Sequence, residues 1–155
     1  MKIIIQEYSN KYKSTVKEFI ISILEGEFGH YNIERPDLDS IKEYYQTENG
    51  NFWIALVDGE LIGTIGLKNY GEYGYLQRMA VKENFRGKGI AQKLLATLLK
   101  YSQKNKYTAI YLATSPNLVA ANKFYIKEGF IKIEKLPKVI PVPIAPIYFM
   151  KNLIT

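Results

Sequence analysis

Apolar positions along the chain recur in two rhythms, and the changes between them mark the elements. Lys2–Glu7 is a β-branched apolar run that predicts a first strand. Asn10 then stands where a helix cap is expected, ahead of Val16, Phe19, Ile20, Ile23 and Leu24, which share one helical face. Gly26 and Gly29 loosen the chain. Pro36, with Asp37 and Asp39 behind it, opens a second helix carrying Ile41, Tyr44 and Tyr45.

The rhythm then tightens. Phe52–Val57 and Leu61–Leu67 are apolar runs on either side of Asp58-Gly59, a strong hairpin signal. A third strand is expected over Tyr73–Val81. Helical spacing returns at Ile90, Leu94, Leu95, Leu98 and Leu99, within a helix from about Gly89 to Gln103. A short strand, Ala109–Ala113, follows. A helix over Leu118–Lys127 comes next, stopped by Gly129, and then a strand over Phe130–Ile133. Pro137, Pro141, Pro143 and Pro146 break the chain before a last strand, Ile147–Leu153. No repeat, linker or low-complexity tract interrupts this order, so residues 1–155 read as one mixed α/β domain, with an antiparallel meander followed by a crossover helix.

Composition narrows the chemistry. A length of 155 residues, 47% of them hydrophobic and 23% charged, suits a single core. Cys is absent, which excludes disulfides, thiol catalysis and Cys-bound zinc. His30 is the only histidine, so no imidazole cluster can hold a metal. No apolar run reaches the roughly 18 residues of a membrane helix, and the apolar part of MKIIIQEYSNKYK is too short for a signal peptide. The expectation is a cytoplasmic protein with no membrane partner. The net charge of +6 raises nucleic acid as a ligand, but the lysines are dispersed and not interleaved with aromatics. No nucleic-acid partner is expected.

The stretch NFRGKGIAQKLL, Asn84–Leu95, joins a glycine-rich turn directly to an amphipathic helix. Helix N-termini expose unpaired N–H groups and carry roughly half a positive charge. Gly87 and Gly89 let a ligand approach the backbone, and Arg86 and Lys88 add cations. The turn is suited to a pyrophosphate, or else it serves only strand-to-helix geometry. The Walker pattern fails, because Lys88 is followed by Gly89 where Ser or Thr is required. The dinucleotide fingerprint fails too. Gln92 replaces its third glycine, and the acidic residue wanted about 20 positions on is missing from KYTAIYL.

A third pattern fits throughout: Arg or Gln, two residues, Gly, one residue, then Gly or Ala, here Arg86-Gly87-Lys88-Gly89-Ile90-Ala91. In it the sequence resembles the GNAT superfamily of acetyl-coenzyme-A-dependent N-acetyltransferases. LQRMAV is similar to the strand that pairs with the pantetheine arm, AANKFYIKEGF to the helix that carries the family tyrosine, and VDGELIGTIGL to the central hairpin. The pieces occur in order from about Phe52 to Phe130. The resemblance implies a mixed sheet of about seven strands, splayed in its middle and flanked by about four helices. It implies acetyl-CoA in the split, with no metal. The diphosphate would lie on the backbone of Arg86, Gly87, Lys88, Gly89, Ile90 and Ala91, and the pantetheine beside Met79, Ala80 and Val81.

Tyr125 matches the family tyrosine that protonates the coenzyme sulfur, although with 13 tyrosines in the chain its position alone would not single it out. A backbone N–H near Met79 is the implied oxyanion donor. Some relatives have an asparagine seven positions before the tyrosine. Leu118 holds that place here and Asn117 is one short, so Asn117 reads as a coenzyme contact or as a helix cap. The general base is unassigned among Tyr75, Glu72, His30 and water. Tyr75 stands where some relatives place a glutamate, and Ile147 where others place a histidine. The implied function is acetyl transfer to a primary amine of a small molecule of amino acid or polyamine type, in a ternary complex. The alternatives are a non-catalytic acyl-CoA sensor of the same fold and a protein N-terminal or lysine acetyltransferase. A homodimer is left open.

Overall fold

The computed structural model of the chain describes residues 1–26, 29 and 33–154. Asp58 and Gly59 adopt φ of 48° and 78°, both left-handed, as the tightest hairpin turn requires. They fold Asn51–Val57 (β2) back on Glu60–Tyr70 (β3). Ile3–Glu7 (β1) joins the free edge of β2, and Tyr73–Val81 (β4) continues the meander on β3, all antiparallel. The helix α4 (Ile90–Lys104) crosses over to Ala109–Thr114 (β5), which runs parallel to β4. After α5 (Val119–Lys127), the strands Ile131–Ile133 (β6) and Ile147–Asn152 (β7) complete a seven-stranded sheet ordered β1-β2-β3-β4-β5-β7-β6.

All seven residues of β2 are buried. An unbroken apolar run of this kind marks a strand covered on both faces. Trp53, Ala55 and Val57 face Leu94, Leu95 and Leu98 of α4. Phe52, Ile54 and Leu56 face the other layer, built by Val16 and Ile20 of α1 (Lys13–Gly26), Leu38 of α2 (Pro36–Asp39) and Ile41 and Tyr45 of α3 (Ile41–Tyr45).

The expected second helix is thus two short ones. Ser40, with φ of −147°, breaks it, and the α-helices among the described residues number five. Several other ends shift, mostly by one residue, and β3 runs three residues past Leu67 to Tyr70. Leu118 precedes α5 instead of opening it. Phe130 precedes β6 and packs in the core at 2% exposure, its N–H donating to the Tyr125 carbonyl at 2.9 Å.

Two irregularities position the site. The β4–β5 ladder holds only Tyr73–Ala109, Gly74–Ile110 and Tyr75–Tyr111. Beyond it β4 stays with β3, while β5 stays with β7 up to the Thr114–Ile147 pair. The sheet therefore splits. In β4, Gln77 pairs with Gly66 and Ala80 with Thr64, so Arg78 and Met79 together oppose Ile65 in a bulge. Arg78 has φ of 56° there, a left-handed conformation that costs a residue with a Cβ about 1–2 kcal/mol.

Candidate active site

The split opens a cavity of about 740 Å³ between β4 and the start of α5. Met79, Ala80 and Val81 form one wall. Past Tyr75 they have no ladder partner on the β5 side, so their backbone edge faces the opening. The sequence places its strand contact on these residues, and the break in pairing occurs beside them.

The floor is the mouth of α4. Gly89 is its N-cap at φ of 80°, and no side chain caps the helix. Gly87, at φ of 75°, makes the preceding turn. A Cβ at Gly87 would meet nothing within 4 Å, and one at Gly89 only the Gln92 Oε1 at 3.6 Å. These glycines are therefore required by backbone conformation rather than by crowding. Gly87, Gly89, Ile90 and Ala91 all line the cavity. So does Arg86, whose Nε donates to the Val81 carbonyl at 2.9 Å and ties the turn to β4. Lys88 does not line it: its side chain is exposed, with Nζ 5.5 Å from the centre of the Phe85 ring. An uncapped helix start, two left-handed glycines and a guanidinium form a donor set that fits a diphosphate.

The remaining wall is α5 and the turn before it. Tyr125 lines the cavity and is 5% exposed. Its ring packs edge-on against Phe124 and Phe130, at centroid distances of 5.6 and 5.7 Å. Burial pushes its hydroxyl well above the ordinary phenol range, so the proton stays on at neutral pH. Core packing and cavity lining thus meet in one side chain. Asn117 also lines the cavity and does not cap α5, whose N-cap is Leu118. Sequence reasoning missed Ala120, Ala121 and Phe124 in this wall. The signal was present in the spacing, because Ala121 precedes Tyr125 by one helical turn and a small residue there leaves room beside the ring.

The base candidates do not converge. Glu72 lies in the turn before β4, where its carbonyl accepts the Thr108 N–H at 2.9 Å. It is seven residues from Met79, roughly 20 Å along an extended strand. Tyr75 is 7% exposed. Burial, reinforced by the phenols of Tyr70, Tyr44 and Tyr148, pushes its hydroxyl up to about 12, so it holds its proton. His30 lies outside the described residues.

A polar cluster that the sequence did not reveal sits on the opposite face of β4. Asp37 of α2 is 6% exposed. Its carboxylate accepts the Arg78 Nε and Nη2 hydrogens at 2.8 Å each, and the Tyr45 hydroxyl at 2.7 Å. Burial alone would raise this carboxyl, but the bonds from Arg78 outweigh it and hold the group below its ordinary range.

Comparison with known proteins agrees with this geometry. Residues 17–130, well over half the chain, match the model of the acetyltransferase (GNAT) family. An acetyltransferase of that family from Staphylococcus aureus Mu50 superposes with a TM-score of 0.92 at 33% identity, over 98% of this chain and 99% of that one. PaiA N-acetyltransferase from Thermoplasma acidophilum, solved in complex with coenzyme A, shares the fold at a TM-score of 0.78 and 21% identity, over 98% and 99% of the two chains. In sequence, the N-acetylaspartate synthetase of Xenopus tropicalis is 36% identical over 99 residues, which is 62% of this chain and 36% of that protein. The chain thus spans about a third of the length of that relative. A seven-stranded sheet split beside Met79, a glycine turn at the mouth of α4, and the match over residues 17–130 lead to one conclusion: the chain belongs to the acetyltransferase (GNAT) family.

Proposed function

We propose that the protein is an acetyl-CoA-dependent N-acetyltransferase whose acceptor is the primary amine of a small molecule, an amino acid before a polyamine. The observation that carries this reading is the alignment of three features on one cavity: the unpaired edge of Met79–Val81, the glycine turn, and Tyr125.

When bound, acetyl-CoA supplies an activated thioester carbonyl for attack by a neutral amine. The chain's own groups do the rest. The uncapped N–H groups of α4 and the Arg86 side chain hold the diphosphate. Met79 is unpaired in the ladders on both sides. Its N–H is the donor to the oxygen on which negative charge develops. As the carbon–nitrogen bond forms and the carbon–sulfur bond breaks, the Tyr125 hydroxyl gives its proton to the leaving sulfur. Tyr75 is protonated and Glu72 distant, so the amine enters neutral, the proton its nitrogen sheds as the amide forms goes to water, and water returns a proton to the Tyr125 phenolate.

The preference for an amino acid rests on charge. On the face of β4 turned towards α3, Lys68 pairs in register with Tyr75, and Tyr70 packs on Tyr75 at 6.1 Å. Lys68 Nζ lies 4.2 Å from the Tyr44 ring centre. These groups are donors. Asp37 is the only buried carboxylate among the described residues, and Arg78 neutralises it. Such a surface favours an acceptor bearing a carboxylate over a polycation. The name of the N-acetylaspartate synthetase relative points the same way.

Thiol release from acetyl-CoA, followed with a panel of amino acids and polyamines, tests this. Release is expected with amino acids, aspartate first. A protein that binds the coenzyme yet releases no thiol with either class is a binding module and not an enzyme for small amines.

A further inference from the structure

Arg78 stands apart in its own strand. Of the non-glycine residues with positive φ among those described, Glu48, Asn49, Asp58 and Lys106 lie in turns, and only Arg78, at φ of 56°, lies within a strand. Its side-chain type gives no preference for this conformation, so the surroundings must impose it. They do so from two directions. Thr64, fully buried, donates its Oγ1 hydrogen to the Arg78 carbonyl at 2.8 Å. The guanidinium is gripped by Asp37 through two parallel bonds of 2.8 Å. Asp37 is itself fixed by the hydroxyl of Tyr45, which is fully buried. The four-residue helix bearing Asp37 is pinned by Leu38 at 0% exposure, with Ile41 at 1% just beyond it.

The grip lies where it has most effect. Arg78 follows the last β4–β5 pair, at Tyr75, by three residues and immediately precedes the cavity wall Met79–Val81. The bulge inserts one residue into the register with β3. Removing it would slip β4 by one position and turn each following side chain to the other face of the sheet. An ion pair drawn largely out of water, as this one is, adds little net stability compared with apolar packing. Its placement here, bridging 41 residues of sequence, points to a role in selecting a conformation.

We infer that Asp37 and Arg78 form a positioning clamp, with Thr64 as its second jaw, that holds the β4 bulge so that Met79–Val81 presents its edge to the pantetheine arm of the coenzyme. Neither residue touches the reacting atoms. This rests on the coenzyme lying along that edge, but not on any choice of acceptor amine.

The test compares two ligands by calorimetry: coenzyme A, and 3′-phosphoadenosine 5′-diphosphate, which keeps the phosphates and lacks the pantetheine. Asp37→Asn removes the paired charge. Arg78→Gly removes the grip but tolerates the positive φ. In both, affinity for coenzyme A is expected to fall about tenfold or more, while that for the nucleotide stays within about twofold of the parent. An unfolded fraction lowers the apparent site count for both ligands alike and leaves the contrast intact. Should either variant fail to fold, Thr64→Val, nearly isosteric, should show the same contrast at a few-fold level. Equal losses for the two ligands, or no loss for either, would overturn the clamp. A parent protein that binds the nucleotide and coenzyme A equally well would instead overturn the pantetheine placement on which it rests.

Discussion

The two halves of the sheet solve opposite problems. From β1 to β3 the ladders run along each strand, and all seven residues of β2 are buried between helices on both faces. Between β4 and β5 only three residue pairs remain, and the backbone beyond them borders a cavity. In the first half β2 is paired along its length on both sides, by β1 and by β3, which gives stability. In the second, Met79–Val81 has no strand partner on the β5 side, which leaves room for an extended ligand along that edge. The comparison shows how one sheet can be rigid enough to hold a site and incomplete enough to be one. The two halves meet at the bulge, where Arg78 is held from the closed side and Met79 opens onto the split.

The sharpest way to break this contrast is to change the split without touching the closed half. Tyr125→Phe keeps the ring against Phe124 and Phe130 and deletes one proton. General acid catalysis contributes about 10²–10⁴-fold, and turnover should fall within that range while coenzyme binding and melting temperature stay close to the parent. Turnover within about threefold of the parent would assign Tyr125 to packing alone. The converse change acts on the closed half. Leu98 is fully buried against the sheet, and Leu98→Ala should cost about 2–5 kcal/mol of stability, read from denaturant unfolding, while coenzyme affinity per folded molecule is unchanged. A fall in that affinity would mean that the halves are energetically coupled.

How far each half was legible follows from the range of the forces that shape it. The hairpin at Asp58-Gly59, the buried run of β2 and the glycine turn at Gly87 and Gly89 are local, and residue type alone announces them. The family pattern added the candidate role of Tyr125, which local chemistry could not supply among so many tyrosines. What stayed hidden is long-range. No sequence signal links Asp37 to Arg78, and arginine does not advertise a left-handed strand position. The break of the second helix at Ser40 was hidden for a related reason. Leu38 and Ile41 must both reach the core, and the non-helical Ser40 between the two short helices allows it. Lys88 belongs to the glycine motif by position, yet its side chain is exposed and does not line the cavity, whereas Arg86 and the backbone of Gly87 and Gly89 do.

A smaller effect is expected at the cavity floor. Gly89 sits at φ of 80°, a conformation in which a β-branched residue is strongly disfavoured. Gly89→Val should weaken coenzyme binding about tenfold by displacing the first turn of α4. Gly89→Asn, better tolerated in the left-handed region, should weaken it less. If calorimetry finds valine and glycine equivalent, the diphosphate does not rest on this turn.

The smallest effects are those of pH near neutrality, and their signs differ between groups. Asp37 is held below its ordinary range, so its contribution to stability is complete above the unfolded value of about 4 and is lost only as pH falls through the folded one. The tyrosines act at the other end. Burial raises Tyr44, Tyr75 and Tyr107 to about 12, and Tyr125 upwards as well. A raised phenol contributes fully below its unfolded value of about 10, and the contribution is lost as pH rises from there through the folded one. Stability should therefore be flat from about pH 5 to 9 in these terms and decline above about 10. The rate profile sharpens the assignment. If Tyr125 gives the proton to sulfur, the alkaline limb of kcat belongs beyond pH 10, because burial keeps that proton in place. An alkaline limb centred near pH 8, unchanged in Tyr125→Phe, would give the acid's role to another group and leave Tyr125 as part of the wall.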